Sequence, residues 1–186
     1  MNVWPGRLRI LSVWLLVALL VTLSRPTVAG VAGGAALMAA GEAIRLWASG
    51  HLRKNVELIT SGPYRFTRNP LYLGRLLIFS GLCLMARLPW GLHWAVLAAG
   101  GAIFFGVYLR RKERVEPERL SRLHGDAYDR YRRSVPALFP TWRPYPEGVS
   151  PGWSSERMAR NREHWMLLVV AALTLFMLWR ANSLGG

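Results

Sequence analysis

One cysteine, Cys83, is present among 186 residues. A single thiol excludes an intrachain disulfide, and its place inside an apolar run reads as a small buried hydrophobe. The four histidines (His51, His93, His124 and His164) stand far apart and lack the spacing of metal ligands, so no metal site is expected. The chain has neither a Gly-rich phosphate loop nor a Gly-x-Ser-x-Gly elbow, so phosphoryl transfer and serine-nucleophile hydrolysis lack their usual parts. Acids are scarce as well: 10 Asp and Glu against 24 Lys and Arg, a formal charge of +14. Such an excess fits either a nucleic-acid surface or the cytoplasmic loops of a membrane protein. The position of the charges decides between them. They lie between long apolar runs in a chain that is 52% hydrophobic, so membrane lipids, and not nucleic acid, are the expected partner.

Five apolar runs are legible: Ile10–Ser24, Val28–Trp47, Leu71–Trp90, Gly91–Leu109 and Trp165–Trp179. The first follows Arg7 and Arg9 as a signal peptide would, but no clear small-x-small cleavage site follows it, and a retained helix is preferred. The second is rich in Gly and Ala. Its Gly30/Gly34 pair allows close helix approach, within one molecule or between two, so oligomeric state stays open. In the same run Glu42 and Arg45 are three apart and could pair on one helical face. Leu88-Pro89-Trp90-Gly91 is a tight link that makes the third and fourth runs an antiparallel hairpin. The last run is short for a span and tryptophan-bracketed. The fold expected is all-α: a polytopic bundle of about five transmembrane helices with a cytosolic amphipathic helical segment.

Basic residues gather at the N-terminus, in the second loop (His51, Arg53, Lys54, Arg65, Arg68) and in the long segment after Arg110, with only Arg25, Arg87 and Arg180 marking the other side. That alternation places the N-terminus, the second loop and the fourth loop in the cytoplasm. Pro117–Arg133 reads as one or two amphipathic helices broken at Gly125, with Tyr128 and Tyr131 on one face. Thr141–Ser155 is a Pro/Gly-rich linker. The divisions expected are 1–48 (two helices), 49–140 (a functional core), 141–164 (linker) and 165–186 (a last membrane helix).

The most informative stretch is Glu57–Leu77, a polar loop that runs straight into a membrane helix. Gly62-Pro63 forces a turn, Pro70 suits a first helical position, and Asn69 is the natural N-cap. Arg75 falls one turn inside the span, where it snorkels or faces a polar cavity.

Gly62-Pro63-Tyr64-Arg65-Phe66-Thr67-Arg68-Asn69-Pro70-Leu71-Tyr72-Leu73-Gly74 resembles the signature of the isoprenylcysteine carboxyl methyltransferase and phospholipid methyltransferase superfamily. Its second half resembles Arg114-Val115-Glu116-Pro117-Glu118-Arg119-Leu120, followed by His124-Gly125-Asp126-Ala127-Tyr128 and Tyr131. The likeness covers roughly Gly50 to Pro140. It implies an integral membrane enzyme that uses S-adenosylmethionine without a Rossmann domain. By that resemblance Glu57, Leu58, Ile59 and Tyr64 line the cofactor, Asn69, Pro70, Leu71 and Tyr72 form its next edge, and Glu116 binds it. Lys112, with Arg111 and Arg114 beside it, binds the anionic group of the substrate. Two residues depart from the pattern. Asn69 stands where the family usually has histidine, which keeps a donor and an acceptor but removes a titratable group. Pro117 replaces a second glutamate and is expected to break the helix at Glu116.

No residue is assigned a catalytic role by sequence, because methyl displacement from a sulfonium needs alignment and desolvation more than acid–base help. The acceptor expected is a lipophilic small molecule, lipid or lipidated substrate, with a carboxylate as nucleophile. A phospholipid amine is the rival acceptor, and a non-catalytic membrane protein that binds anionic lipid is the rival class.

Overall fold

The structure, a computed structural model, describes residues 6–53, 58–146 and 152–185. Among them all regular structure is helical. Helices α1 (Gly6–Thr22), α2 (Val28–His51), α3 (Pro70–Ala86) and α4 (Leu92–Ile103) precede a π-helical stretch, Phe104–Leu109. That stretch runs without a break into α5 (Arg110–Ser134); α6 (Ser155–Arg160) and α7 (Glu163–Gly185) follow. Val28–His51, the path Pro89–Ser134 and Glu163–Leu184 are long and apolar enough to cross a membrane, while Leu11–Thr22 and Pro70–Ala86 are shorter apolar helices. The 17 residues of α3 still rise roughly 25 Å. The protein is therefore an all-α membrane bundle.

Helices α2 and α3 form its spine, antiparallel and in contact along their backbones. A Cβ at Gly34 would lie 2.5 Å from the Gly81 carbonyl, and one at Gly41 would lie 2.6 Å from the Gly74 carbonyl. The glycine pairs recur every seven residues on both helices, so packing here depends on missing side chains, as membrane helix contacts often do. Gly34 thus serves packing within the molecule, and its tight partner in α2 is Gly41, whereas Gly30 sits further from α3. Around this seam Leu20, Val31, Met38, Leu82, Cys83, Met85, Val170 and Met177 make the main apolar core, which leaves Cys83 as the buried hydrophobe expected.

At one end of the bundle α1, α2, α3 and α7 meet. Arg25 N–H donates to the Ala86 carbonyl at 3.0 Å, and Arg180 donates to the Ser24 and Thr22 carbonyls at 3.1 and 2.9 Å. The other end carries the C-terminus of α2, the loop 58–69, α5 and α6. The hairpin link is a tight turn, with Arg87, Trp90 and Gly91 all at positive φ.

Two expectations meet corrections. Pro117 does not break the helix at Glu116: α5 continues through it, and Pro117 is buried. Its ring fixes a helical φ and costs one backbone hydrogen bond, so the turn survives. The non-helical residue is Gly125, at φ 52° and ψ −133°, which allows the chain to redirect there. Asn69 sits at the N-cap position of α3, but its side chain makes no cap bond; it is spent on other partners, described below. The last apolar run is also longer than its tryptophans suggest, since α7 has 23 residues.

Candidate functional site at the polar end of the hairpin

The loop before α3 folds back against α5 and the chain after it. Gly62 opens a 3-10 turn, Gly62–Arg65, with Pro63 early in it. Gly62 has φ +57°, and the His51 ring lies 2.4 Å from where a Cβ would stand, so both conformation and space demand glycine. Three backbone bonds tie this loop to the chain following α5: Arg68 N to Pro136 O (3.0 Å), Thr141 N to Phe66 O (2.9 Å) and Tyr145 N to Arg65 O (3.0 Å). Side chains reinforce them. Thr67 Oγ1 donates to the Leu138 carbonyl at 2.8 Å, Arg68 Nε to Val135 O at 3.0 Å, and the Tyr131 hydroxyl to the Tyr64 carbonyl at 2.7 Å. The region expected as linker is therefore fastened at Thr141 and Tyr145, and Tyr145 meets the Tyr131 ring edge-on at 5.3 Å.

Asn69 is the centre of the clasp. It is 3% exposed, and its Nδ2 donates to Glu113 Oε1 at 3.0 Å and to the Ala137 carbonyl at 2.8 Å. Both partners are acceptors only, which fixes the amide orientation. Both N–H donors are consequently spent, and Oδ1 is a buried acceptor with no partner among the described residues. Such an atom takes an incoming N–H or O–H, and it cannot bind a carboxylate. Arg68 closes the other side of Glu113, Nη2 to Oε2 at 2.8 Å.

Lys112 lies between Tyr72 and Glu116. Its ammonium is 4.6 Å from the Tyr72 ring centroid and 3.0 Å from Glu116 Oε2, so these two residues share one end of the hairpin. Arg75 lies 5.6 Å from the same ring, and Phe104 packs on it at 6.0 Å. Two cations on one aromatic ring make this a cation-accepting group. Arg111 and Arg114 are exposed beside it.

The remaining predicted residues are more enclosed. Ile59 and Tyr64 pack with Ala48 and, at the margin, Leu71; Leu58 packs against Tyr128, Tyr131, Val135 and Tyr145. Pro70 is fully buried. Glu57 lies outside the described residues. Burial, then the nearby carboxylates of Glu116 and Glu163, push the Tyr64 phenol well above its ordinary range, so it stays protonated and serves as a neutral group. A cavity of about 480 Å³ lies elsewhere, along one face of α5 lined by Val115, Glu118, Arg119, Arg122 and Leu123. It is lined by Val115, Glu118 and Arg119 of the signature, but by none of the residues to which the resemblance gives a cofactor or substrate role.

Three residues that sequence reasoning left without a site role belong here. Glu113 is one of few acids in an arginine-rich run, the only signal it gave. Arg45 pairs with Glu42 at 3.7 Å, as their spacing suggested, but its shortest contact is Glu163 at 2.5 Å, a residue 118 positions away. No local pattern announces such a pair. Among the described residues no three His, Cys, Asp or Glu side chains converge as a metal site would need.

Comparison with known proteins agrees with this part of the chain. The chain is 36% identical over 98 residues to the nickel-cobalt-cadmium resistance protein NccN of Alcaligenes xylosoxydans xylosoxydans, covering 52% of this chain and 43% of that protein. It is 35% identical over 98 residues to the cobalt-zinc-cadmium resistance protein CzcN of Cupriavidus metallidurans, covering 52% and 42%. The chain thus spans less than half the length of these curated relatives. No solved structure matches it. The phospholipid methyltransferase family model matches residues 43–114, which take in the end of α2, the clasp loop, the hairpin and the start of α5. Through this segment the chain is similar to the phospholipid methyltransferase family, a likeness consistent with the superfamily of integral membrane methyltransferases that also holds the isoprenylcysteine carboxyl methyltransferases.

Proposed function

We propose that the chain is a membrane methyltransferase that uses S-adenosylmethionine to methylate a lipophilic acceptor. The observation that carries this reading is the clasp: the loop before α3 and the segment after α4 join at one end of a membrane hairpin through Asn69, Glu113, Lys112, Tyr72 and Glu116. S-adenosylmethionine, when bound, supplies an electrophilic methyl group. The residues present suit it. The orphan Asn69 Oδ1 accepts from an amino or hydroxyl group, and the Glu116 carboxylate takes an ammonium or ribose hydroxyls. Leu58, Ile59 and Leu71 offer apolar contact, and Tyr64 a neutral hydroxyl. Lys112 is a flexible side chain only partly buried, so it can leave the space between Tyr72 and Glu116. The clasp holds its parts through backbone bonds, which suits a site whose main task is alignment. Its position at the mouth of α3 and α4 gives a lipid-like acceptor a lateral route from the bilayer.

Positive residues are concentrated at the clasp end, which by the positive-inside rule is cytoplasmic, with the N-terminus on the same side. Arg111 and Arg114 at the rim suit a carboxylate acceptor and the headgroup layer around it. One observation favours a second reading, a phospholipid amine: the Tyr72 ring already takes two cations, and Lys112 is paired with Glu116.

The test is titration calorimetry of the purified protein with S-adenosylmethionine, then incubation of membranes with methyl-labelled cofactor and identification of the labelled species. Binding is expected, with Glu116→Ala and Tyr64→Ala weakening it tenfold or more, about 1.4 kcal/mol, and exposed Arg160→Ala leaving it unchanged. Absence of binding to the wild-type protein would remove both enzyme readings and leave a basic, lipid-binding membrane protein.

A further inference from the structure

The family-matched segment ends at residue 114, yet the polar end of the bundle is completed by chain from beyond residue 150. Segment 153–161 wraps the C-terminus of α2 and donates to the carbonyls a helix end leaves free. Trp153 Nε1 bonds Leu46 O at 3.2 Å, Ser154 N bonds Gly50 O at 3.1 Å, Arg157 Nε bonds Gly50 O at 2.7 Å, and Asn161 Nδ2 bonds Ser49 O at 3.0 Å. Arg162 then turns at φ +60°, a conformation uncommon for a side-chain-bearing residue, and starts α7 with Glu163 in its first turn.

That placement delivers a carboxylate to Arg45. The guanidinium is buried and permanently charged, so it needs partners. Among the described residues it has three: Glu163 Oε2 at 2.5 Å from Nη2, Glu42 Oε2 at 3.7 Å from Nε, and the Leu71 carbonyl at 3.4 Å from Nη1. Its stem lies across Gly74, where a Cβ would meet Arg45 Cγ at 2.5 Å. Arg45 therefore ties α2 and α7 to the first turn of α3, the turn that carries Leu71 and Tyr72. Glu42 cannot hold it there alone. It lies one turn deeper in the bundle, and both its oxygens lack a hydrogen-bond partner among the described residues. Without Glu163, Arg45 swings towards Glu42 and releases Leu71.

We propose that Glu163 of the C-terminal helix is a positioning residue for the cofactor site. Through Arg45 it sets the height of the Leu71–Tyr72 turn against α2. This rests on the methyltransferase reading above for its functional meaning, while the mechanical link does not.

The experiment uses the full chain in detergent micelles, with Glu163→Ala, Glu163→Asp and, as control, Arg180→Ala, which cuts the anchor at the other end of α7. Two quantities are read: affinity for S-adenosylmethionine by calorimetry, and amide hydrogen exchange of residues 70–76. Glu163→Ala is expected to weaken cofactor affinity at least tenfold and raise exchange in 70–76. Glu163→Asp should restore affinity to within about threefold, since Arg45 is flexible enough to follow a shorter carboxylate. Arg180→Ala should lower the unfolding temperature and leave both readouts at wild-type values. Unchanged affinity and exchange in Glu163→Ala would overturn the proposal, as would equal affinity loss in Glu163→Ala, Glu163→Asp and Arg180→Ala, which marks general destabilisation. If the wild-type protein binds no cofactor, the methyltransferase reading fails, and exchange in 70–76 still decides the Glu163–Arg45–Leu71 link.

Discussion

Asn69→Asp is close to isosteric, so it isolates polarity from shape at the centre of the clasp. In the wild-type protein one NH₂ group donates to Glu113 Oε1 at 3.0 Å and to Ala137 O at 2.8 Å. The aspartate turns that nitrogen into an oxygen facing two acceptors. Loss of the bond to the charged Glu113 costs about 1.5–3 kcal/mol and loss of the neutral bond about 0.5–1.5 kcal/mol. Repulsion between the carboxylates adds up to about 4 kcal/mol at roughly 4 Å in a partly buried setting. Arg68, 2.8 Å from the other oxygen of Glu113, offsets part of that term. A net loss of about 2–4 kcal/mol is expected, read as a lower thermal unfolding midpoint in detergent and an affinity for S-adenosylmethionine below calorimetric detection. The sign with pH follows from two carboxyls sharing one site. The folded variant favours a shared proton, so the pKa of the pair is raised on folding. Its deficit against wild type therefore narrows as pH falls towards 4 and is fully developed near neutrality. Adding Glu113→Gln should recover the part due to Glu113 and leave the clash with Ala137 O. Wild-type stability in Asn69→Asp at pH 7 would show that the amide does not face these two acceptors, and the clasp as described would be wrong.

Two further changes test the frame that holds the site. Gly81→Ala places a Cβ 2.5 Å from Gly34 O and 2.6 Å from Met38 Cγ, roughly 1 Å inside a normal contact. It should cost about 1–3 kcal/mol by forcing α2 and α3 apart, whereas Gly101→Ala, which meets nothing within 4 Å, should be neutral or stabilising by up to about 1 kcal/mol; thermal unfolding of both decides. Gly125→Ala has open space but a backbone at φ 52°, ψ −133°. It should cost about 1–3 kcal/mol through strain alone and loosen Tyr128 and Tyr131, seen as faster amide exchange in 128–135.

The chain's own order of residues settled a good deal. Long apolar runs broken by basic loops leave no option but membrane helices, because only a helix satisfies its backbone inside hydrocarbon. Gly62-Pro63 and Pro70 punctuate the loop by constraints that act within one or two residues, so the 3-10 turn and the start of α3 were legible. Gly125 signalled its break for the same reason. Pro117 misled, because a proline's φ is itself helical and a single lost hydrogen bond did not end α5. Asn69 was readable as a helix start and unreadable as a clasp. Its partners, Glu113 and Ala137, lie 44 and 68 residues on. Which glycines touch across α2 and α3, and which acid balances Arg45, were decided only in three dimensions. Charge balance and close packing are set by neighbours in space, and a buried guanidinium takes the carboxylate that folding brings to it, here one supplied by the start of the last helix.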